Sequence, residues 1–209
     1  MTIVREGYAF IAAGAGLTAF LGFFVSPYGA IFAGVLTLYF AYFFRNPKRN
    51  IPADEDAVLS PADGTVQDVS RVEHDDFVGS DATKVTVFMS VFDVHVNRSP
   101  IDGEIKCQKY VCGAFRPAYK DEVGFDNEHH LLGIENDRLR ITVTQIAGIL
   151  ARRIVSWVTI DDKLQKGELY GLIRFGSCVE IVMPNSVEVL VKKGQKVTGG
   201  ETIIGRIRE

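Results

Sequence analysis

The chain has 209 residues, of which 47% are hydrophobic, and its formal net charge is −3. This length allows one domain of ordinary size with an appendage, and the near-neutral charge argues against a nucleic-acid-binding protein, which normally carries a basic face. The three cysteines, Cys107, Cys112 and Cys178, form neither a paired disulfide framework nor a metal-ligand spacing. These properties favour a chain that folds in a reducing, cytoplasmic setting.

Two uncharged, mostly apolar runs open the chain at residues 8–25 and 30–44, with the turn-forming sequence Ser-Pro-Tyr-Gly at 26–29 between them. As helices these runs would be about 23–27 Å long, slightly shorter than the roughly 30 Å of a bilayer core. The pattern predicts a helical hairpin, residues 1–49, that crosses a membrane or enters one leaflet. A buried hairpin of a soluble protein is the alternative, and a signal peptide fits less well because a second apolar run follows at once.

Basic residues on both sides of the hairpin indicate its orientation. Arg5 precedes the first run, and Arg45, Lys48 and Arg49 follow the second, whereas the turn between the runs carries no charge. By the positive-inside rule both ends face the cytoplasm. We therefore expect a protein of the cell membrane whose second domain lies on the cytoplasmic side.

The composition changes abruptly at residues 46–52, and we place the second domain at residues 50–209. Alternating and β-branched apolar residues between Pro- and Gly-containing turns predict many short strands. They are expected at 58–69, 84–92, 103–111, 139–149, 154–160, 180–184 and 187–191 and within 194–205. Such a series predicts a mainly β domain, either an antiparallel sandwich or a partly open barrel. Only residues 146–153 could instead form a short helix.

Gly176 directly precedes Ser177 between two apolar runs. A Gly-Ser pair usually marks a turn, but no side chain shields the glycine carbonyl, and the serine hydroxyl can reach it through a five-membered ring. If an adjacent base activates Ser177, the amide can become an ester. Elimination across the serine Cα–Cβ bond would then cut the chain and leave a keto-acyl group on the new N-terminus.

Histidine and aspartate candidates for the base and its partner lie far from this serine in the sequence. His95 ends an apolar strand at a turn, from which it could point into a cleft, although a structural histidine fits the same position. Asp63 lies in a tight turn, where it either bonds its own backbone or orients a histidine. His74 lies in an acidic loop, and the pair at 129–130 lies in a polar stretch that we expect to be a surface loop or flap. The histidines do not have the spacing of a zinc site.

Four motifs follow the hairpin in this order: SPADG at 60–64, HVNRSP at 95–100, QIAG..ARR at 145–153 and IRFGS at 173–177. In this combination the chain resembles the short (type II) phosphatidylserine decarboxylase proenzymes and their archaeal archaetidylserine relatives, over essentially its whole length. The chain departs from the short forms at Cys178, Glu180 and His129, where they usually have Arg, Asp and Arg. It also has Arg98 where the longer bacterial forms have a second histidine.

The resemblance implies a lyase that cuts itself between Gly176 and Ser177 into a β chain, residues 1–176, and an α chain, residues 177–209. Ser177 would be both the nucleophile and the source of a pyruvoyl group, so neither an exogenous cofactor nor a metal is implied. The mature enzyme, one α and one β chain or a homo-oligomer of such pairs, would convert phosphatidylserine or archaetidylserine to the ethanolamine phospholipid and release CO2. The hairpin would hold the site at the membrane surface, where the lipid resides.

The resemblance also assigns roles to other side chains. Asp63 and His95 would form the charge-relay-like pair that activates the serine, and His95 is the candidate acid that protonates the substrate Cα, since its pKa can lie near the working pH. The lipid phosphate needs positive charge, which Arg98, Arg152 or Arg153 could supply.

Two other functions fit parts of the pattern. A hydrophobic N-terminus followed by a lipoyl-like β-sandwich, which the glycine-rich tail suggests, is also typical of membrane-anchored adaptors without catalytic activity. A membrane-anchored serine peptidase could use Ser177 with a lysine. Neither protein would be cut at Gly176.

Overall fold

The computed structural model of the protein describes residues 1–113, 127–148, 153–174 and 177–208. The chain divides into two compact units, Met1–Lys48 and Arg49–Glu209. The first unit is a pair of apolar helices and the second is a β domain, as the sequence predicts.

The N-terminal unit is a helical hairpin closed by a short strand pair. It consists of β1 (Thr2–Ile3), α1 (Arg5–Phe24), α2 (Pro27–Phe43) and β2 (Arg45–Asn46), and β1 pairs with β2 in antiparallel register. The connection is tighter than the predicted turn at 26–29, because Pro27 is already the first helical residue. Proline is well tolerated there, since its missing N–H has no partner within the helix and its φ is helical.

The surface of this hairpin is apolar. With 20 residues at about 1.5 Å each, α1 is about 30 Å long, and it is the one helix among the described residues that is long and apolar enough to cross a membrane; the 17-residue α2 is shorter. Large side chains point outward on both helices, such as Phe23 (84% exposed), Tyr28 (82%) and Phe32 (74%). A contiguous apolar surface of this kind marks a site of membrane or protein contact, and the helix pair has the character of a membrane-associated element.

The second unit consists of short strands. They are, in chain order, β3 (Ala57–Leu59), β4 (Gly64–Asp75), β5 (Gly79–Met89), β6 (Val96–Arg98), β7 (Gly103–Val111), β8 (His129–Glu135), β9 (Arg140–Ala147), β10 (Arg153–Ser156), β11 (Lys163–Leu164), β12 (Leu169–Arg174), β13 (Ser177–Pro184), β14 (Val187–Val189), β15 (Lys196–Val197) and β16 (Ile203–Ile207). Eight of them form one antiparallel sheet in the order β11-β7-β8-β9-β13-β5-β4-β15. Two three-stranded sheets, β10-β12-β6 and β14-β16-β3, complete the domain.

The large sheet is curled into a half barrel, which confirms the predicted partly open barrel. Register shifts in β4 and β7 are β-bulges, which increase local twist and bend a sheet. Alternate residues of the central strands face the concave side, where Val87, Val143 and Ile181 are fully buried within one hydrophobic core. The polar positions between these residues face outward.

The described ends of the segment 146–153 are not part of the helix that its sequence allowed. Residues 146–147 end β9 and residue 153 begins β10, while residues 149–152 lie outside the described residues. Pairing with β13 extends β9 as far as Ala147. The backbone groups at this end of the segment therefore form their hydrogen bonds within the sheet and not within a helix.

Candidate active site

Ser177 is the first residue of β13, in the middle of the large sheet. It pairs with Met89 on β5 and with Ala147 on β9, and its side chain is completely buried. Val179 and Ile181 share its face, which is the concave one, and its Oγ lies 3.6 Å from the Met89 sulfur. A hydroxyl buried in this way is better placed to react with its own chain than with a polypeptide arriving from solvent. Gly176 lies outside the described residues.

His95 precedes β6 and is also completely buried. Its Nδ1 lies 3.0 Å from the carbonyl oxygen of Asp93. A carbonyl only accepts hydrogen bonds, so Nδ1 carries a proton, and in the neutral form of the ring the lone pair is then on Nε2. This tautomer is the one that a general base acting through Nε2 requires.

The backbone holds His95 close to the end of β12. The carbonyl oxygen of His95 accepts from the Ile173 N–H at 3.2 Å, and Val96 pairs with Leu172 on β12. Two residues after His95, Asn97 Nδ2 lies 3.8 Å from the Met89 sulfur, the atom that Ser177 Oγ also contacts. This contact places Asn97 of β6, two residues after His95, on the concave side of the sheet at Ser177.

Asp63 lies in the turn before β4. Arg49 Nη2 donates to both of its carboxylate oxygens, at 2.8 and 2.7 Å, and the Gly199 N–H donates to Oδ1 at 2.8 Å. The turn depends on Gly64, where an added Cβ would lie 2.1 Å from the Phe88 carbonyl oxygen of the neighbouring strand. These contacts replace the local backbone bond that is usual for such a turn.

Opposing effects act on the Asp63 carboxyl. Burial raises its pKa and the carboxylate of Asp93 adds to the rise, whereas Arg49 and the Gly199 N–H counteract it. Removing one partner of a buried ion pair costs about 3–5 kcal/mol, so Arg49, whose side chain is 10% exposed, stabilises Asp63 in this position. Direct orientation of His95 by Asp63 stays a prediction.

The structure describes two of the three arginines proposed for phosphate binding, Arg98 and Arg153. Arg98 is half-buried and donates through Nη1 to the Gly167 carbonyl oxygen at 2.8 Å. Burial and the nearby Arg49 lower the pKa of Arg98. Arg153 is exposed at the start of β10, and Arg152 lies outside the described residues.

The residues that replace the usual Arg and Asp of the short forms lie on the opposite face of β13 from Ser177. Cys178 is buried, and burial raises the pKa of its thiol, so it behaves as a small apolar group. Glu180 forms an ion pair with Lys84 at 3.2 Å and accepts from Thr86 Oγ1. Neither substitution changes the concave face.

The expectation that residues 129–130 form a surface loop was wrong. Both histidines begin β8, which pairs with β7 and β9, and alternation points His130 into the core while His129 faces the outer side. The apolar residues at 132 and 134, in step with His130, were the available signal. Sequence reasoning also missed Asn97 and Gln145, completely buried polar residues on the concave side.

Within the described ranges, no group of three His, Cys, Asp or Glu side chains could hold a metal ion. The chemistry that the described residues of this site offer is that of a buried hydroxyl and a buried histidine whose Nδ1 carries a proton. These two groups suit a reaction in which Ser177 is itself converted to a prosthetic group. A group made from a residue of β13 needs no separate binding site.

Comparisons with known proteins identify the family of the chain. The family model described as phosphatidylserine decarboxylase matches residues 36–205. The phosphatidylserine decarboxylase proenzyme of Carboxydothermus hydrogenoformans is 46% identical over 209 residues, 100% of this chain and 98% of that protein. The proenzyme of Symbiobacterium thermophilum is 47% identical over 98% of this chain and 95% of that protein. The proenzyme of Geobacter metallireducens is 44% identical over 97% of this chain and 95% of that protein. The chain belongs to the phosphatidylserine decarboxylase family.

Proposed function

We propose that this chain is a self-processing, pyruvoyl-dependent decarboxylase that converts a serine phospholipid to the ethanolamine phospholipid and CO2. The observation that carries the proposal is the buried hydroxyl of Ser177 on the concave face. It contacts the Met89 sulfur, which Asn97, two residues after His95, also contacts. The similar proteins are phosphatidylserine decarboxylase proenzymes by name, which supports the reaction class. They disfavour a non-catalytic adaptor, and the burial of Ser177 disfavours a peptidase.

Self-cleavage begins when Ser177 Oγ adds to the Gly176 carbonyl carbon and gives its proton to His95 Nε2. The C–N bond then breaks as the nitrogen takes up that proton, which converts the peptide bond to an ester. A base next removes the Cα proton of residue 177, the Cβ–O bond breaks, and Gly176 leaves as a carboxylate. The enamine left at residue 177 takes up one water and releases one ammonia, which produces the pyruvoyl group.

The pyruvoyl group supplies a carbonyl that serves as an electron sink for the electron pair left on the substrate Cα when CO2 departs. PLP performs the same task in other decarboxylases. His95 is the residue proposed to return a proton to the substrate Cα. Arg98 is the strongest of the three phosphate candidates because it is half-buried and lies near Arg49 and Asp63. A guanidinium binds phosphate with two parallel N–H donors.

A decarboxylation assay with two lipids tests the reaction and its substrate. The purified wild-type protein in mixed micelles is expected to release CO2 and form the ethanolamine lipid from phosphatidylserine, archaetidylserine or both. A reagent that captures ketones should abolish this activity, because it blocks the electron sink. Processed protein that releases CO2 from neither lipid would contradict the proposal.

We also propose that residues 1–49 anchor the protein and that the decarboxylase domain, residues 50–209, faces the cytoplasm. Support comes from the basic residues at both ends of the hairpin. Cys112 is exposed, whereas Cys107 is half-buried and Cys178 buried, so a membrane-impermeant thiol reagent should label Cys112 in inverted vesicles and not in right-side-out ones. Labelling only in right-side-out vesicles would place the domain outside, and Cys112→Ser is the control for site selectivity.

A further inference from the structure

A continuous row of polar side chains crosses the apolar concave face and ends beside Ser177. Gln108 Nε2 lies 2.9 Å from His130 Nε2, and His130 Nδ1 lies 3.2 Å from Gln145 Oε1. Gln145 Nε2 then donates to Asn97 Oδ1 at 2.8 Å. Four different strands, β7, β8, β9 and β6, each contribute one member.

The row has one hydrogen-bond direction, which a backbone carbonyl determines. Gln108 Nε2 also donates to the Val158 carbonyl oxygen at 3.4 Å, and because a carbonyl cannot donate, this contact fixes which end of the Gln108 amide is the NH2 group. His130 Nε2 must therefore accept, so its proton lies on Nδ1 and is donated to Gln145 Oε1. Gln145 in turn donates to Asn97 Oδ1, so the NH2 group of Asn97 is the last donor of the row.

The interior keeps this arrangement in place. His130 and Gln145 are direct cross-strand neighbours on β8 and β9, and both are almost completely buried. Burial lowers the pKa of His130, which keeps the ring neutral and able to accept at Nε2. Gly171 leaves space for the Gln145 amide, since a Cβ there would lie 2.9 Å from Gln145 Nε2.

Among the described residues, the last donor of the row has only a weak acceptor. Asn97 Nδ2 contacts the Met89 sulfur at 3.8 Å, and Ser177 Oγ contacts the same sulfur at 3.6 Å. A thioether is a poor hydrogen-bond acceptor, so a buried NH2 group in this position gains when a negatively charged oxygen forms nearby. Four polar side chains crossing a hydrophobic core are costly unless every member is satisfied, and this row is satisfied up to its final donor.

We propose that Asn97 donates a hydrogen bond to the oxygen that becomes negative when Ser177 Oγ adds to the preceding carbonyl, and that Gln145 and His130 are positioning residues that hold the Asn97 NH2 group toward it. This inference rests on the proposed self-cleavage and adds an electrostatic stabiliser to it. Donors that are fixed before the reaction stabilise developing charge at no reorganisation cost. His95 moves the proton, and Asn97 stabilises the charge on oxygen.

The test measures the first-order rate at which purified full-length protein is converted to two chains. Asn97→Asp keeps the size of the side chain but removes the NH2 donor, and we expect it to slow self-cleavage by about 10²- to 10³-fold, as loss of one such donor does. His130→Leu breaks the row and should slow the rate by about 10- to 100-fold through misplacement of Asn97. His130→Gln still accepts from one neighbour and donates to the next, so it should restore most of the wild-type rate. His129→Gln, on the outer face of the same strand, is the matched control and should cleave like the wild type.

Cleavage of Asn97→Asp at the wild-type rate would overturn the inference while leaving self-cleavage intact. Equal rates for His130→Leu and His130→Gln would remove the positioning role, because only the second variant preserves the hydrogen-bond direction. If Asn97→Asp does not fold, as judged by its circular dichroism and melting temperature, the two His130 variants decide the outcome. A wild-type chain that stays uncut would overturn self-cleavage and this inference together.

Discussion

Ser177→Ala is expected to remain a single chain of 209 residues under conditions in which the wild type is fully converted to two fragments. The substitution removes one oxygen from a fully buried position, so the fold of β13 and its pairing with β5 and β9 should persist. The five-membered ring with the Gly176 carbonyl requires a hydroxyl on the next residue, and the substitution removes that hydroxyl. A denaturing gel and an intact-mass measurement detect the difference.

The matched control for this variant is Ser186→Ala, which changes an exposed serine just after the same strand. It should be processed like the wild type. Appearance of a 33-residue fragment from Ser177→Ala would show that another group cuts the chain, and Ser177 would lose its role as nucleophile.

His95→Ala is expected to accumulate the uncut chain and to slow self-cleavage by about 10²- to 10⁴-fold, the usual contribution of a general base. Because Nδ1 donates to the Asp93 carbonyl, the neutral ring has its lone pair on Nε2, and the substitution removes the proton acceptor that we propose for Ser177 Oγ. Added imidazole should restore part of the rate by entering the space that the substitution creates. The measurement is a time course of chain conversion with and without imidazole.

His74→Ala is the control for His95, because His74 is a solvent-exposed histidine on β4 whose side chain is 65% exposed. It should be processed at the wild-type rate. Rapid processing of folded His95→Ala would assign the base to another residue, and failure of imidazole to change a slow rate would indicate a structural role for His95.

Much of the fold could be predicted from the sequence, because the core dictates a simple periodicity. The apolar runs at 8–25 and 30–44 contain no charged residue, which is typical of helices with an apolar surface. Alternation of apolar and polar residues in segments such as 84–92 is typical of a strand with one buried face. The exact end of each helix depended on local chemistry instead. Pro27 looked like part of a turn, yet its ring conformation suits the first turn of a helix equally well.

The polar part of the site was less predictable, because it depends on register between strands that are distant in the sequence. His130 stands next to a second histidine and after polar residues, and only its pairing opposite Gln145 shows that it faces inward. Gln145 and Asn97 read as ordinary polar residues of two separate motifs until the fold brings them within 2.8 Å. The bond of Arg49 to Asp63 likewise joins residues 14 positions apart, and both residues belong to the second unit.

The site combines three separate contributions to one reaction. The sheet buries Ser177 and holds it in extended backbone, His95 is the proposed proton acceptor, and the row that ends at Asn97 is the proposed source of a hydrogen-bond donor. The helical hairpin supplies an apolar surface suited to the bilayer in which a serine phospholipid resides. The roles proposed for Ser177, His95 and Asn97 can each be tested by one substitution.

The intact mass of the purified wild-type protein tests the self-cleavage of this chain most directly. We expect two polypeptides, residues 1–176 and residues 177–209, the smaller of which lacks a free amino group at its N-terminus and reacts there with a ketone-specific reagent. A single uncut chain, or a fragment that begins with an unmodified serine, would contradict formation of the pyruvoyl group at Ser177.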